Sequence, residues 1–165
     1  MHKVRKVTTP SEYLNKRILD RVDFSDMFVT TNREDDLRTI AELVFNNPNR
    51  WVRGLFRLRN KLVSIFGLKT DVPADYNDSF AVGGYIGFFK IFSITENELV
   101  LGANDSHLNF RAIVANNHLP TYNIQIITLV RYNNIFGKLY MGIIKPFHFV
   151  VVKQMVGKAF KNPLS

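Results

Sequence analysis

In the stretch Gly102-Ala-Asn-Asp-Ser-His-Leu-Asn-Phe-Arg111, Asp105, His107, Asn109 and Arg111 stand at every second position between two apolar runs. Alternate side chains of a β-strand share a face, so this spacing aligns a carboxylate, an imidazole, an amide and a guanidinium in one row. Such a row is either the wet side of an antiparallel sheet or the lining of a polar pocket, and the sequence alone leaves both open. His107 has the chemistry of a general base near neutral pH, with Asp105 as the nearest carboxylate of the same parity. Two positions along a strand span about 7 Å, too far for a direct bond between them. His148 is the other histidine inside an expected element and the second acid–base candidate.

Four further residues, Trp51, Arg59, Arg131 and Tyr140, are candidates for binding. Residues 50–66 read as a helix in which, at about 100° per residue, Arg50, Arg53, Arg57 and Lys61 form one stripe. Trp51, Leu55, Leu58, Leu62, Ile65 and Phe66 form the other face. Arg59 falls inside that apolar arc, where a guanidinium needs a carboxylate, backbone carbonyls or an anionic ligand; Asp105 and Asp78 are the structural partners to expect. Arg131 and Asn133 share a parity at the end of the last strand, with Tyr140 one turn into the following helix. No metal site is expected, because no HxxxH or HxH spacing occurs. Gly83-Gly84-x-x-Gly87 opens a strand rather than a strand-to-helix turn, so it is no nucleotide loop. No nucleophile elbow is present.

The elements that must position these groups follow from periodicity. Residues 1–21 read as an N-terminal arm and 22–165 as a single domain. Val22–Thr30 is a first strand, with Val22, Phe24 and Phe28 on one parity. Asn32 or Asp35 is placed to cap a helix over Leu37–Phe45. The helix over 50–66 then stops at Gly67. Four strands at meander spacing follow: Gly84–Ile94, Glu98–Gly102, a strand through the polar row to Ala115, and Thr121–Tyr132. Ile135–Phe160 is a long helix interrupted by Pro146. The expected class is α+β, a curved antiparallel sheet wrapped around a long C-terminal helix, with two helices between the first and second strands.

Composition narrows the function classes. The chain has 165 residues, 46% hydrophobic, with 14 Phe and a single Trp, enough for one real core. It has no cysteine, which excludes disulfides, thiolate metal sites and cysteine nucleophiles. The basic start is followed by no apolar h-region, so a cytoplasmic protein is expected. The net charge of +8 is concentrated in three blocks: residues 1–21, 50–69 and 131–165 each carry six Lys/Arg, against two, no and no acids. Solvated helix faces explain this, so neither nucleic acid nor a membrane is the expected partner. Lys145, His148 and Lys153 also break any run near the ~20 apolar residues of a membrane span.

Several phrases are more specific. Trp51 with Leu58-Arg-Asn60, Leu101-Gly-Ala-Asn-Asp-Ser-His-Leu-Asn-Phe110, Thr128-Leu-Val-Arg131, Phe136-Gly-Lys-Leu-Tyr140 and Pro146-Phe-His148 resemble an uncharacterised bacterial family, domain of unknown function 2867. The element order resembles the START-like helix-grip fold of polyketide cyclases and pollen allergens. That likeness implies a hydrophobic cavity between sheet and last helix. Members of the family are also fused behind NAD(P)-binding, dehydrogenase-like domains.

Three functions stay open. The first is a binding module for a small hydrophobic or amphipathic molecule. Its wall or core would be Trp51, Phe88, Phe92, Phe110, Tyr122, Ile126, Phe136, Tyr140 and Phe147, and its polar anchors Arg59, His107 and His148. The second is a cyclase, isomerase or hydrolase using His107 or His148, with Arg59 or Tyr140 stabilising charge. The third is a non-catalytic partner of a dehydrogenase-like protein, docking through Arg50, Arg53 and Arg57. No cofactor is implied.

Overall fold

The computed structural model describes residues 3–15, 17–46 and 73–162, with three isolated helical positions at 53, 57 and 64. The chain forms β1 (Val4–Val7), α1 (Ser11–Leu14), β2 (Phe24–Thr30), α2 (Leu37–Phe45), β3 (Tyr85–Ile86), β4 (Phe89–Ile94), β5 (Glu98–Asn104), β6 (Leu108–Asn116), β7 (Ile124–Tyr132) and α3 (Ile135–Gly157). All seven strands belong to one antiparallel sheet, in the order β1-β2-β7-β6-β5-β4-β3. The meander β3–β7 is extended by β2, which pairs with β7 from Phe24↔Val130 to Thr30↔Ile124. A register shift between Ile91 and Ser93 bends β4 at the far side, as an inserted residue does. This is the α+β plan of a curved sheet with a long C-terminal helix.

Both faces of the sheet are covered, which is why β6 and β7 read as nearly continuous apolar runs. On one face Phe28, Leu99, Leu101, Val114, Ile124 and Ile126 pack with Ile40 and Val44 of α2 and Met155 and Val156 of α3. On the other, Met27, Val29, Val100, Ile113, Ile127 and Leu129 pack with Tyr13 and Leu19 from the N-terminal stretch. That stretch contributes β1, which lies antiparallel to β2 from Val4↔Thr30 to Val7↔Met27. Positions 53, 57 and 64 are helical and exposed, where the expected basic stripe puts Arg53 and Arg57. Trp51, Arg59, Arg50 and the rest of that helix, with its stop at Gly67, lie outside the described residues.

Burial of the Tyr13 phenol, then the nearby Glu98 carboxylate, pushes its pKa up to about 12. A phenol that ionises later when folded adds stability below its ordinary pKa and loses it as pH climbs. The chain is therefore expected to lose stability between about pH 10 and 12 on this account. Urea midpoints for Tyr13→Phe should fall less over that window than those of the unaltered chain.

Local details depart from the sequence reading in three places. The run Gly84–Ile94 is two strands, turned at Gly87-Phe88, where Gly87 has φ +60° and the next strand doubles back. The cap of α2 is Asp36, whose Oδ1 accepts from Thr39 N at 2.7 Å. Asn32 instead folds its own loop, its Oδ1 accepting from Glu34 N and Asp35 N. The third departure is the polar row. Asn104 pairs with Asn109, and Asp105–Leu108 form the connecting turn, closed by Asp105 N donating to Leu108 O at 2.9 Å. An Asn-Asp-Ser sequence bonds its own backbone readily, and that turn preference overrides the alternation.

Candidate functional site

The broken row sends its members to different places. Asp105 and Asn109 face Asn133, whose Nδ2 donates to Asp105 O at 2.7 Å and Asn109 Oδ1 at 3.0 Å. Arg111 goes to the face away from α3 and stacks on Phe92, its guanidinium carbon 3.6 Å from the ring centroid. Its Nη1 donates to Phe110 O at 2.8 Å, and burial lowers its pKa below the ordinary arginine value. His107 is buried at the start of β6, with its ring edge-on to Tyr140 at 5.3 Å. Asn134 caps α3 through Gly137 N, and its Nδ2 donates to Ser106 O, so the helix begins directly on this turn.

The remaining candidates also separate. Arg131 lies on the face opposite α3 and holds Asp20 with both carboxylate oxygens at 2.8 Å, so it forms no cluster with Tyr140. Phe92 and Tyr122 pack on that same opposite face. Phe88, Phe136 and Phe147 are exposed. Phe110, Ile126 and Tyr140 do lie on the α3 side. At the centre of that side Phe28, Ile91, Leu99, Leu101 and Ile126 are buried together in one apolar cluster. Two open clefts lie on the rim. One, about 260 Å³, is lined by Arg38, Glu42, Tyr76, Phe80 and Tyr85; the other, about 500 Å³, by Lys6, Thr8, Thr9, Leu14, Ser25 and Asp26.

Where α3 crosses β2 the structure brings two ionisable groups together. Asp26, in the middle of β2, has a side chain only 2% exposed, and His148 Nε2 lies 3.2 Å from its Oδ2. A buried carboxylate is costly without a partner, and among the described residues His148 is the side chain that answers it. With Nε2 turned to the carboxylate, Nδ1 is the ring atom left for a ligand, and the His148 side chain keeps 18% of its surface exposed. Phe24 sits edge-on to the imidazole at 5.7 Å, and Thr128 is opposite Asp26 in the sheet. Lys145 Nζ lies 5.3 Å from the Phe24 ring, and Lys6 Nζ lies 5.3 Å from Phe149, which itself packs on Phe28. The seam thus combines an oriented imidazole, two ammonium groups and aromatic walls.

His148 was among the sequence candidates; Asp26 was not. Its signal was its parity: Asp26 sits between Phe24 and Phe28 on the inward row of β2, a charge where an apolar residue belongs. His107 and His148 do not form one site. Tyr140, which His107 touches, is eight residues from His148, about 12 Å along the helix.

No curated protein and no solved structure matches this chain. A family model described as "Protein of unknown function (DUF2867)" matches residues 18–155, which takes in β2, the whole meander and α3 as far as Met155. The chain belongs to that family.

Proposed function

We propose that the chain is a START-like binding module that holds a small amphipathic molecule with an anionic head at the β2–α3 seam. The observation that carries this reading is the buried Asp26 carboxylate fixed on His148. Lys6 and Lys145 flank the pair, and Phe24 and Phe149 supply apolar contact. Ligand sites of this kind join mostly apolar walls to a few convergent polar groups. The head would meet His148 Nδ1 and the ammonium groups. The tail would lie along the aromatic rings and toward the cleft that Asp26 and Lys6 also line.

Decanoate is a suitable probe. At one hundred times its Kd it should stabilise the fold by about 2.7 kcal/mol, a gain of several degrees in Tm, while decanol should give much less. The double variant Asp26→Leu/His148→Leu should be as stable as the parent or more so, because replacing both partners of a buried polar contact by apolar groups is often neutral or favourable. That variant should lose the response to decanoate. Equal responses from parent and double variant would remove the seam from the account.

A second reading rests on the same pair. A carboxylate-oriented imidazole is also the arrangement of a general acid–base, as a small cyclase, isomerase or hydrolase would use. His148→Gln would then abolish turnover of a bound ester or enol-forming substrate. In a pure binder the bound molecule is recovered unchanged.

A further inference from the structure

On the face of the sheet away from α3, Arg111 is only 7% exposed and holds a charge that nothing there neutralises. Its Nη1 donates to the carbonyls of Phe110 and Ala103, at 2.8 and 3.4 Å. Nε and Nη2 make no hydrogen bond, yet neither is sealed from water. Three acids that reach this face have cations of their own: Arg17 holds Glu98, Lys90 holds Asp75 and Arg131 holds Asp20. Among the described residues no carboxylate pairs with Arg111, and burial alone lowers its pKa. Burying a guanidinium without a counter-charge is costly, and an apolar side chain would fill the place without that penalty.

Two further features make room for the group. The register shift of β4 makes Phe92 an extra residue with no partner on β5, and its ring is the platform on which Arg111 lies. Gly102 stands directly opposite Arg111 in the ladder, and the arginine stem runs across it. A Cβ at Gly102 would overlap Phe110 O and come within 3.0 Å of Arg111 Cδ. The ring and the two carbonyls fix the guanidinium plane and leave its Nε–Nη2 edge open. That edge is the fork that takes both oxygens of a planar carboxylate, and one carboxylate neutralises the one charge left over.

We propose that Arg111 is the anchor of a carboxylate-binding site on the back of the sheet. It is separate from the Asp26–His148 seam, which lies on the α3 side.

The test follows the Nε–H resonance of Arg111, identified by its loss in Arg111→Lys, with the Gly102 amide as second reporter. Benzoate should move both in a saturable way. Benzamide, of the same shape without the charge, should move neither. Arg111→Lys keeps the charge without the fork and should weaken the Gly102 response at least about 10-fold. Arg111→Met should abolish it with a Tm at or above that of the parent, since the stem is kept and the lone buried charge is gone. Asp26→Leu/His148→Leu should respond as the parent does, which keeps the two sites distinguishable. Hexaglutamate in place of benzoate names the source of the carboxylate. A response to benzoate alone assigns the site to a free small acid, and a response to the peptide alone assigns it to an acidic side chain of a bound protein. Silence of both reporters toward both probes would overturn the proposal. So would a Gly102 shift that survives undiminished in Arg111→Met.

Discussion

Asn32→Ala is expected to lower the unfolding free energy by about 2–4 kcal/mol, through loss of several buried hydrogen bonds at once. Asn32 is fully buried and joins three separate parts of the chain. Its Nδ2 donates to Ala159 O at 2.8 Å, just beyond α3, and to Asp35 Oδ2 at 2.9 Å. Its backbone N donates to Asn123 Oδ1 at 3.0 Å, and Asn123 Nδ2 donates back to Asn32 O at 2.7 Å. Truncation leaves the Ala159 carbonyl without its donor and the loop after β2 without its organiser. Asn32→Asp should be no milder, because it removes the donor and sets a second carboxylate beside Asp35. Urea midpoints measure both. A cycle with Asn123→Ala should show coupling of about 1 kcal/mol or more, as groups sharing one network do.

The same contact leaves an acid signature. The Asn32 amide first, and then Lys161, holds the Asp35 carboxyl below its ordinary value. A depressed carboxylate adds stability above its unfolded pKa and loses it as pH falls through the folded one. Stability on the acid side should therefore change less with pH in Asn32→Ala than in the parent.

Gly137→Ala should cost about 2–3 kcal/mol, or roughly 5–10 °C in Tm, although alanine is the better helix former. A Cβ at this position would overlap the His107 carbonyl oxygen and touch Leu108. The first turn of α3 would have to lift from the β5–β6 turn, taking Tyr140 off the His107 ring and loosening Met141. Gly142 is the internal control. It lies in the same helix with nothing within 4 Å of an added Cβ. Gly142→Ala should stabilise by about 0.5–1 kcal/mol. Equal effects at the two glycines would mean that α3 does not seat on the His107 turn.

Periodicity carried the main elements and failed where local polar chemistry competes with it. The helix over Leu37–Phe45, the strand ending at Tyr132 and the long helix from Ile135 are long and strongly patterned, and each stands where the pattern puts it. The turn at Asp105–Leu108 was hidden because its polar residues alternate with Ser106 and Leu108 as a strand's would. β1 was hidden by brevity, four residues with Arg5 and Lys6 at its centre. In the site, His148 was visible as a histidine in an amphipathic helix. Its pairing with Asp26 spans 122 residues and exists only once β2 lies beside β7 and α3 crosses them. No local pattern encodes such a contact. The signal that sequence did hold was the lone carboxylate between Phe24 and Phe28.

The seam is tested most directly by the imidazole nitrogen resonances of His148, identified among the chain's four histidines by their loss in His148→Gln. Added decanoate should move the Nδ1 signal of His148 in a saturable way. Nε2 should keep its bond to Asp26, and His107 should not respond. Decanoate that leaves His148 unmoved while it stabilises the fold would place the ligand elsewhere and contradict the account.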